Sequence, residues 1–287
     1  MANTCILILG GSGTLGRPLS VRAEAQGCDT VTTYLTNPDS IRAGLPVQLD
    51  LRDREALRKV VQTFAPEAII HAAITERSGK GYDDAIRQSG EIVAQVAAKA
   101  HTRLIALSTD LVFAGTDTIY TEDSPTHPAQ ASERYGSAKI DYERVIQDIY
   151  PAALIVRTSL IYDFDPANPQ VAWMQQAIER GDPVTLYTDQ MRCPIWAVNL
   201  ADALLELMET DASGLLHVVG PDLISRYDLG VALLDALGYL PDACVRPIPM
   251  PEGQARSLHL SVDRARTLLQ TTRLLPVAEA RAAWNNG

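Results

Sequence analysis

The sequence predicts an α/β fold: a doubly wound parallel sheet followed by a smaller C-terminal lobe. Three observations carry this. Cys5–Leu9 (C-I-L-I-L) is an unbroken apolar run at the chain start, too short for a helix and ended by glycines, as in a strand buried on both faces. Further short apolar or β-branched runs alternate with helix-patterned stretches as far as residue 160, which implies strand–helix–strand units and parallel pairing. Beyond residue 160 the alternation becomes irregular. Residues 1–160 are therefore expected to form the sheet domain and 161–287 mainly the second lobe, with elements around 196–220 returning to the sheet.

Each element has a local reason. Gly10, Gly13 and Gly16 follow the first run at a spacing of three, and residues 17–26 read as a helix. Strand, glycine turn and helix is the geometry that holds a dinucleotide pyrophosphate. Gly10 permits the tight turn, Gly13 lets backbone N–H groups approach phosphate, and Gly16 lets the helix pack close to the strand. The helix N-terminus adds partial positive charge. Ser12, Thr14 and Leu15 lie between these glycines and share the expected cofactor-binding surface. Residues 30–35 (T-V-T-T-Y-L) form the second strand. An acid at its end would hold a ribose 2′-hydroxyl and repel a 2′-phosphate. Here Thr33, Tyr34 and Thr36 occupy that end, no acid follows them until Asp39, and Arg42 is the nearest arginine. The missing acid favours NADP(H) as cofactor, with NAD(H) the alternative.

Residues 47–51 (V-Q-L-D-L) read as the third strand with Asp50 at its end, and Asp53 is placed to cap a helix over Arg54–Phe64. Residues 66–75 hold the fourth strand and its exit. The stretch 83–100 has Ile86, Ile92, Val93, Val96 and Ala97 at helical spacing, and 103–107 is the fifth strand. Residues 151–162 form the sixth. Helices then follow over 171–180, 199–210, 227–237 and 262–270, with strands over 184–187 and 215–219.

Composition narrows the function. The chain has 287 residues, 46% hydrophobic and 21% charged, an ordinary globular balance. A net charge of −10 leaves no basic surplus for nucleic acid. No apolar run is long enough to span a bilayer, and no basic leader precedes the first strand; no membrane partner is expected. Cys5, Cys28, Cys193 and Cys244 are far apart and offer neither metal spacing nor a disulfide framework. They read as reduced thiols of a cytoplasmic protein without a metal site.

The chemistry is expected between residues 107 and 141. Residues 107–115 read L-S-T-D-L-V-F-A-G and 134–141 read R-Y-G-S-A-K-I-D. Tyr135 and Lys139 are four apart, hence one turn apart on one helix face. A tyrosine hydroxyl is a poor acid or base near neutrality. A lysine ammonium and a positive nicotinamide nearby would favour phenolate. Thr109, at a strand end, would offer a second hydrogen bond to the same substrate oxygen. Proton donor, tuning cation and second donor are what carbonyl reduction requires.

These segments resemble the extended short-chain dehydrogenase/reductase family, in particular its dTDP-4-dehydrorhamnose reductase-like branch. The resemblance runs over nearly the whole chain: G-G-S-G-T-L-G, S-T-D-L-V-F-A-G, Y-G-S-A-K, R-T-S-L-I-Y, T-D-Q-M-R-C-P and the pair G-L-L-H-V-V-G and S-R-Y-D-L-G. It implies a Rossmann-type domain, NADPH, and reduction of a 4-keto group on a nucleotide-activated sugar, with Thr109, Tyr135 and Lys139 in the catalytic positions and Lys139 also on the cofactor ribose. It places Asp50 and Leu51 beside the adenine, although Asp50 reads equally as a turn residue ending a strand. It places His71, Ala72 and Ala73 beneath the cofactor, Thr158 in the loop beside the nicotinamide, and Asp110 with Thr109 on the substrate. The helix over 83–100 would also meet a second subunit in a homodimer.

Departures fall on the substrate side. The branch usually has Tyr where this chain has Leu111, Trp where it has Leu160, Val-Asp within the stretch Thr75 to Ser78, and Pro-Thr where it has Pro194 and Ile195. They imply a retained reaction class with a substrate other than the rhamnose precursor. Sugar-nucleotide epimerases of the wider family carry diphosphate-binding arginines at the places of Arg192 and Arg256; solvated surface arginines are the alternative. Two other readings share these features. One is an epimerase or dehydratase that retains its nicotinamide through the cycle. The other is a non-catalytic NADP-binding subunit that regulates a partner.

Overall fold

The computed structural model describes residues 4–73, 79, 81–116 and 118–286. Seven parallel strands form the central sheet: β1 (Cys5–Leu9), β2 (Asp29–Tyr34), β3 (Leu45–Gln48), β4 (Ala68–His71), β5 (Arg103–Thr109), β6 (Leu154–Thr158) and β7 (Gly214–His217). Their spatial order is β7-β6-β5-β4-β1-β2-β3. The winding direction therefore reverses between β1 and β4. In open sheets the crevice at the C-terminal ends of such a pair is where ligands bind.

Helices α1 (Gly16–Ala25), α2 (Arg54–Phe64), α3 (Tyr82–Ala100) and α4 (Glu133–Ile149) connect the strands, and α5 (Pro169–Glu179), α6 (Ala197–Met208) and α7 (Arg226–Ala236) follow. The sheet is covered on both faces, and β1 shows why its run is wholly apolar. Ile6 and Ile8 pack with Leu19 and Ala23 of α1 and Leu200 and Leu204 of α6. Leu7 and Leu9 point the other way, to Leu57 of α2, Val93 of α3 and Ile146 of α4. Alternate side chains of one strand thus feed two cores. A third core, with Phe164, Met174, Leu186, Trp196 and Leu233, lies in the C-terminal lobe.

Two strands differ from expectation. The third strand spans Leu45–Gln48 rather than 47–51, because its partner β2 ends at Tyr34, which pairs with Gln48. The sixth ends at Thr158, and Ile161–Tyr162 instead pairs with Ile195–Trp196. Val245–Ile248 pairs with Val184–Tyr187, a strand hidden in the sequence by Pro247. The helix Val277–Asn285 is hidden by a pattern of alanines with few large apolar residues. Among the described residues, no helix is long and apolar enough to cross a membrane.

Candidate active site

The glycine turn follows β1 at the switch point. Gly10 has φ +92°, which glycine adopts without strain, and a Cβ there would stand 2.6 Å from Cα of Ala73. The turn and the exit of β4 therefore touch. A Cβ on Gly16 would stand 2.2 Å from the Gly10 carbonyl oxygen, so α1 can start this close to β1 only with glycine. Thr33 fixes the turn from β2: its hydroxyl accepts from Gly10 N at 3.1 Å and its carbonyl accepts from Gly11 N at 2.7 Å. The N–H groups of Ser12, Thr14 and Leu15 have no acceptor among the described residues. Gly13 is exposed, and a Cβ there would meet only the Gly10 oxygen within 4 Å. Unsatisfied donors at a helix N-terminus, with open space before them, suit a pyrophosphate. Thr14, Arg17 and Arg42 line a cavity of about 200 Å³ alongside.

Asp50 lies two residues beyond β3. Arg52 grips its carboxylate with Nε on Oδ1 at 3.0 Å and Nη2 on Oδ2 at 2.6 Å, and the Arg52 N–H adds a third bond at 3.0 Å. These bonds hold the Asp50 carboxyl below the usual carboxylate range. Leu51 is buried in the core between sheet and α2. His71 is buried too, with Nδ1 2.8 Å from the Tyr142 hydroxyl, and burial lowers its pKa to about 3.

The second cluster gathers at the end of β5. Tyr135 is half-buried in the first turn of α4 and Lys139 is buried one turn later. Lys139 Nζ donates to the Leu107 carbonyl at 2.9 Å, two residues before Thr109. Gly136 makes the approach of α4 feasible, since a Cβ there would stand 2.4 Å from the Leu111 oxygen. Thr109 and Thr158 are register partners on β5 and β6. The Thr158 hydroxyl is buried without a partner among the described residues. Thr109 Oγ1 accepts from Leu111 N at 3.2 Å and reaches Asp110 Oδ1 at 3.3 Å.

The expected arginine pair is not assembled as a free clamp. Arg192 and Asp110 are both buried and bind each other, Nε to Oδ2 at 2.8 Å and Nη2 to Oδ1 at 2.5 Å. Ser159 Oγ donates to the same carboxylate at 2.5 Å. Two positions expected on the substrate thus satisfy one another, because neither charge can be left alone in a buried site. Arg256 is exposed and pairs with Asp189 at 3.3 Å. Of the departures, Ile195 is fully buried in the core, Leu111 and Leu160 pack at core edges, and Thr75 to Ser78 lie outside the described residues.

Sequence reasoning missed the brace behind this cluster. Glu143, one turn beyond Lys139, accepts from Arg157 Nε at 3.0 Å and Nη2 at 2.7 Å, and from Ser108 Oγ at 2.5 Å. It ties α4 to β5 and β6 immediately before Thr109 and Thr158. A signal existed: Arg157 is a charge within a buried strand, and Glu143 lies on the helical face of Tyr135 and Lys139.

Glycine turn, strand-end threonine and helical Tyr-x-x-x-Lys on this sheet define an oxidoreductase of the extended short-chain dehydrogenase/reductase class. The chain belongs to the RmlD substrate binding domain family, whose signature matches residues 4–270. A dTDP-4-keto-6-deoxy-D-glucose reductase of Streptomyces niveus is 32% identical over 251 residues, covering 85% of this chain and 82% of that protein. The dTDP-4-dehydrorhamnose reductase of Mycolicibacterium smegmatis is 28% identical over 285 residues, covering 93% and 82%. Among solved structures, the dTDP-4-dehydrorhamnose reductase of Bacillus anthracis in complex with NADP matches with a TM-score of 0.79 at 20% identity, covering 100% of this chain and 99% of that one. At that identity the likeness speaks for the fold.

Proposed function

We propose that this protein reduces a carbonyl group on a nucleotide-activated sugar with NADPH. The observation that carries the reading is the Lys139 Nζ bond to Leu107, which seats the Tyr135 helix beside the Thr109 strand end. The unsatisfied amides of Ser12, Thr14 and Leu15 would hold the pyrophosphate. Bound at this turn, NADPH would supply the hydride for the carbonyl carbon. Tyr135 gives its phenolic proton to the carbonyl oxygen, so one hydride and one proton complete the alcohol. Lys139 favours the phenolate left behind. Thr109 adds a hydrogen bond to the oxygen as its charge grows. Asp110 competes weakly for the Thr109 proton, because Arg192 and Ser159 already occupy its oxygens at shorter distances.

NADPH is favoured over NADH by the absence of an acid at the C-terminal end of β2 and by Arg17 and Arg42 beside the turn; the Bacillus anthracis relative, by its description, holds NADP. The relatives' names point to dTDP-4-keto sugars as the substrate class. Leu111, Leu160 and the 75–78 stretch support a sugar other than the rhamnose precursor. The test is net NADPH oxidation with a panel of dTDP- and UDP-4-keto sugars. Tyr135→Phe is expected to lower turnover by about 10²–10⁴-fold, the usual weight of general acid catalysis, while binding NADPH as the parent does. Full turnover in Tyr135→Phe sinks the assignment, and binding without net oxidation for any keto sugar sinks the reductase.

A further inference from the structure

Behind Lys139 lies a buried pair that the mechanism leaves unused. Tyr142 and His71 are each 1% exposed. The Tyr142 hydroxyl and His71 Nδ1 are 2.8 Å apart and join α4 to the end of β4. The Tyr142 ring lies under the lysine, with Nζ 4.1 Å from its centroid. Gly90 on α3 makes room for that ring: a Cβ there would stand 2.5 Å from Tyr142 Cδ2.

A buried ammonium needs a replacement for lost water. A carboxylate would serve, but its charge would cancel the field that Lys139 exerts on Tyr135. Two neutral groups meet the ammonium here. The Leu107 carbonyl takes one N–H, and the face of an aromatic ring attracts a cation through its quadrupole while carrying no net charge. Glu143, the carboxylate one residue beyond Tyr142, is committed to Arg157 and Ser108. His71 adds no charge either, since burial and then the Lys139 charge keep its imidazole neutral, with a pKa of about 3. Burial likewise pushes the Tyr142 hydroxyl upward, so it stays protonated.

We propose that Tyr142, anchored by His71, is a positioning residue whose ring face holds the Lys139 ammonium in place without neutralising it. The inference rests on the reading of Lys139 as the group that tunes Tyr135 and holds the cofactor ribose. It gives Tyr142 a role in cofactor affinity as well as in turnover, although it touches neither reacting atom.

The experiment replaces Tyr142 by Phe and by phenylalanines carrying one, two and three ring fluorines. Fluorine withdraws π-density with little change of shape. NADPH Kd, kcat and the melting temperature are measured for each. Tyr142→Phe keeps the ring face and is expected to stay within about threefold of the parent in Kd and kcat, while each fluorine weakens both, to about tenfold at three, the scale of a desolvated cation–π contact. The melting temperature is expected to stay level along the fluorine series. Tyr142→Leu, which removes the face, is expected to lose NADPH affinity at least as far. A flat fluorine series overturns the inference, as does parent-like NADPH affinity in Tyr142→Leu. A parent protein that binds no NADPH overturns the functional reading as well; binding with a flat series overturns the Tyr142 role alone.

Discussion

At the scale of single residues, the site separates groups that meet ligands from groups that hold them. Thr109 is proposed to meet the substrate oxygen, and its hydroxyl is only loosely engaged at 3.3 Å with Asp110. Thr109→Val keeps the shape and removes the donor. It should lower kcat/KM by about 10²–10³-fold, the scale of one lost oxyanion donor, with NADPH Kd unchanged. Thr109→Ser should recover most of the activity, and steady-state kinetics with fluorescence titration of NADPH decide the matter. Equal kcat/KM in Thr109→Val and the parent would remove Thr109 from the chemistry. Arg42 concerns the cofactor instead. Exposed beside Thr14 and Arg17, it has no fixed demand on stability. Arg42→Ala should weaken NADPH about tenfold, near the weight of one charge-assisted hydrogen bond, and leave NADH untouched. A parallel loss for both cofactors would place Arg42 away from the 2′-phosphate.

At the scale of elements, α4 is the piece whose placement matters most. Its inner face runs Tyr135, Lys139, Tyr142, Glu143, and side-chain bonds hold it to the sheet: Lys139 to Leu107, Tyr142 to His71, and Glu143 to Arg157 and Ser108. Removing the charge of Glu143 leaves a buried guanidinium uncompensated. Glu143→Gln should therefore cost about 3–5 kcal/mol of stability, whereas Glu143→Leu combined with Arg157→Met should cost much less. Urea denaturation of the two proteins checks the order, and a double variant no more stable than the single one would refute it. The same helix shows how far the sequence could be read. Tyr135 and Lys139 were legible because their spacing, four, is the helix period. The glycine turn was legible because its residues do local work: Gly10 has a positive φ and Gly16 a close approach. The Asp110–Arg192 bond joins residues 82 apart in sequence, and no local period records such a pairing. The brace of Glu143, Arg157 and Ser108 is likewise spread over two strands and a helix. The end of β3 was misplaced for a related reason: an edge strand stops where its partner stops, and Val47, Leu49 and Leu51 look the same in or out of the sheet.

At the scale of the whole molecule, the close packing that builds the site also buries two histidines. His71 and His217 are 1% and 0% exposed. Burial lowers both from the ordinary histidine value of 6.5 to about 3, helped by Lys139 near His71 and by Arg157 near His217. Both are therefore neutral in the folded protein, whereas in the unfolded chain they take up a proton near 6.5. Between these values the unfolded state binds more protons, so stability rises with pH across the window. The contribution is present in full above about pH 6.5 and is lost as the pH falls toward about 3. At pH 5 the loss is about 2 kcal/mol for each histidine, at 1.36 kcal/mol per pH unit. His217 isolates half of the effect. Both its ring nitrogens are buried, the backbone at Ser261 and Tyr120 favours its proton less than burial opposes it, and its ring meets Phe113 edge-on at 5.8 Å. His217→Leu fills similar space with nothing to titrate. It should be no less stable than the parent at pH 7.5, and should lose about half as much stability between pH 7.5 and pH 5. Urea midpoints at the two pH values measure this directly. An unchanged acid loss in His217→Leu would mean that this histidine already carries its proton in the folded protein, and that the backbone at Ser261 and Tyr120 outweighs its burial.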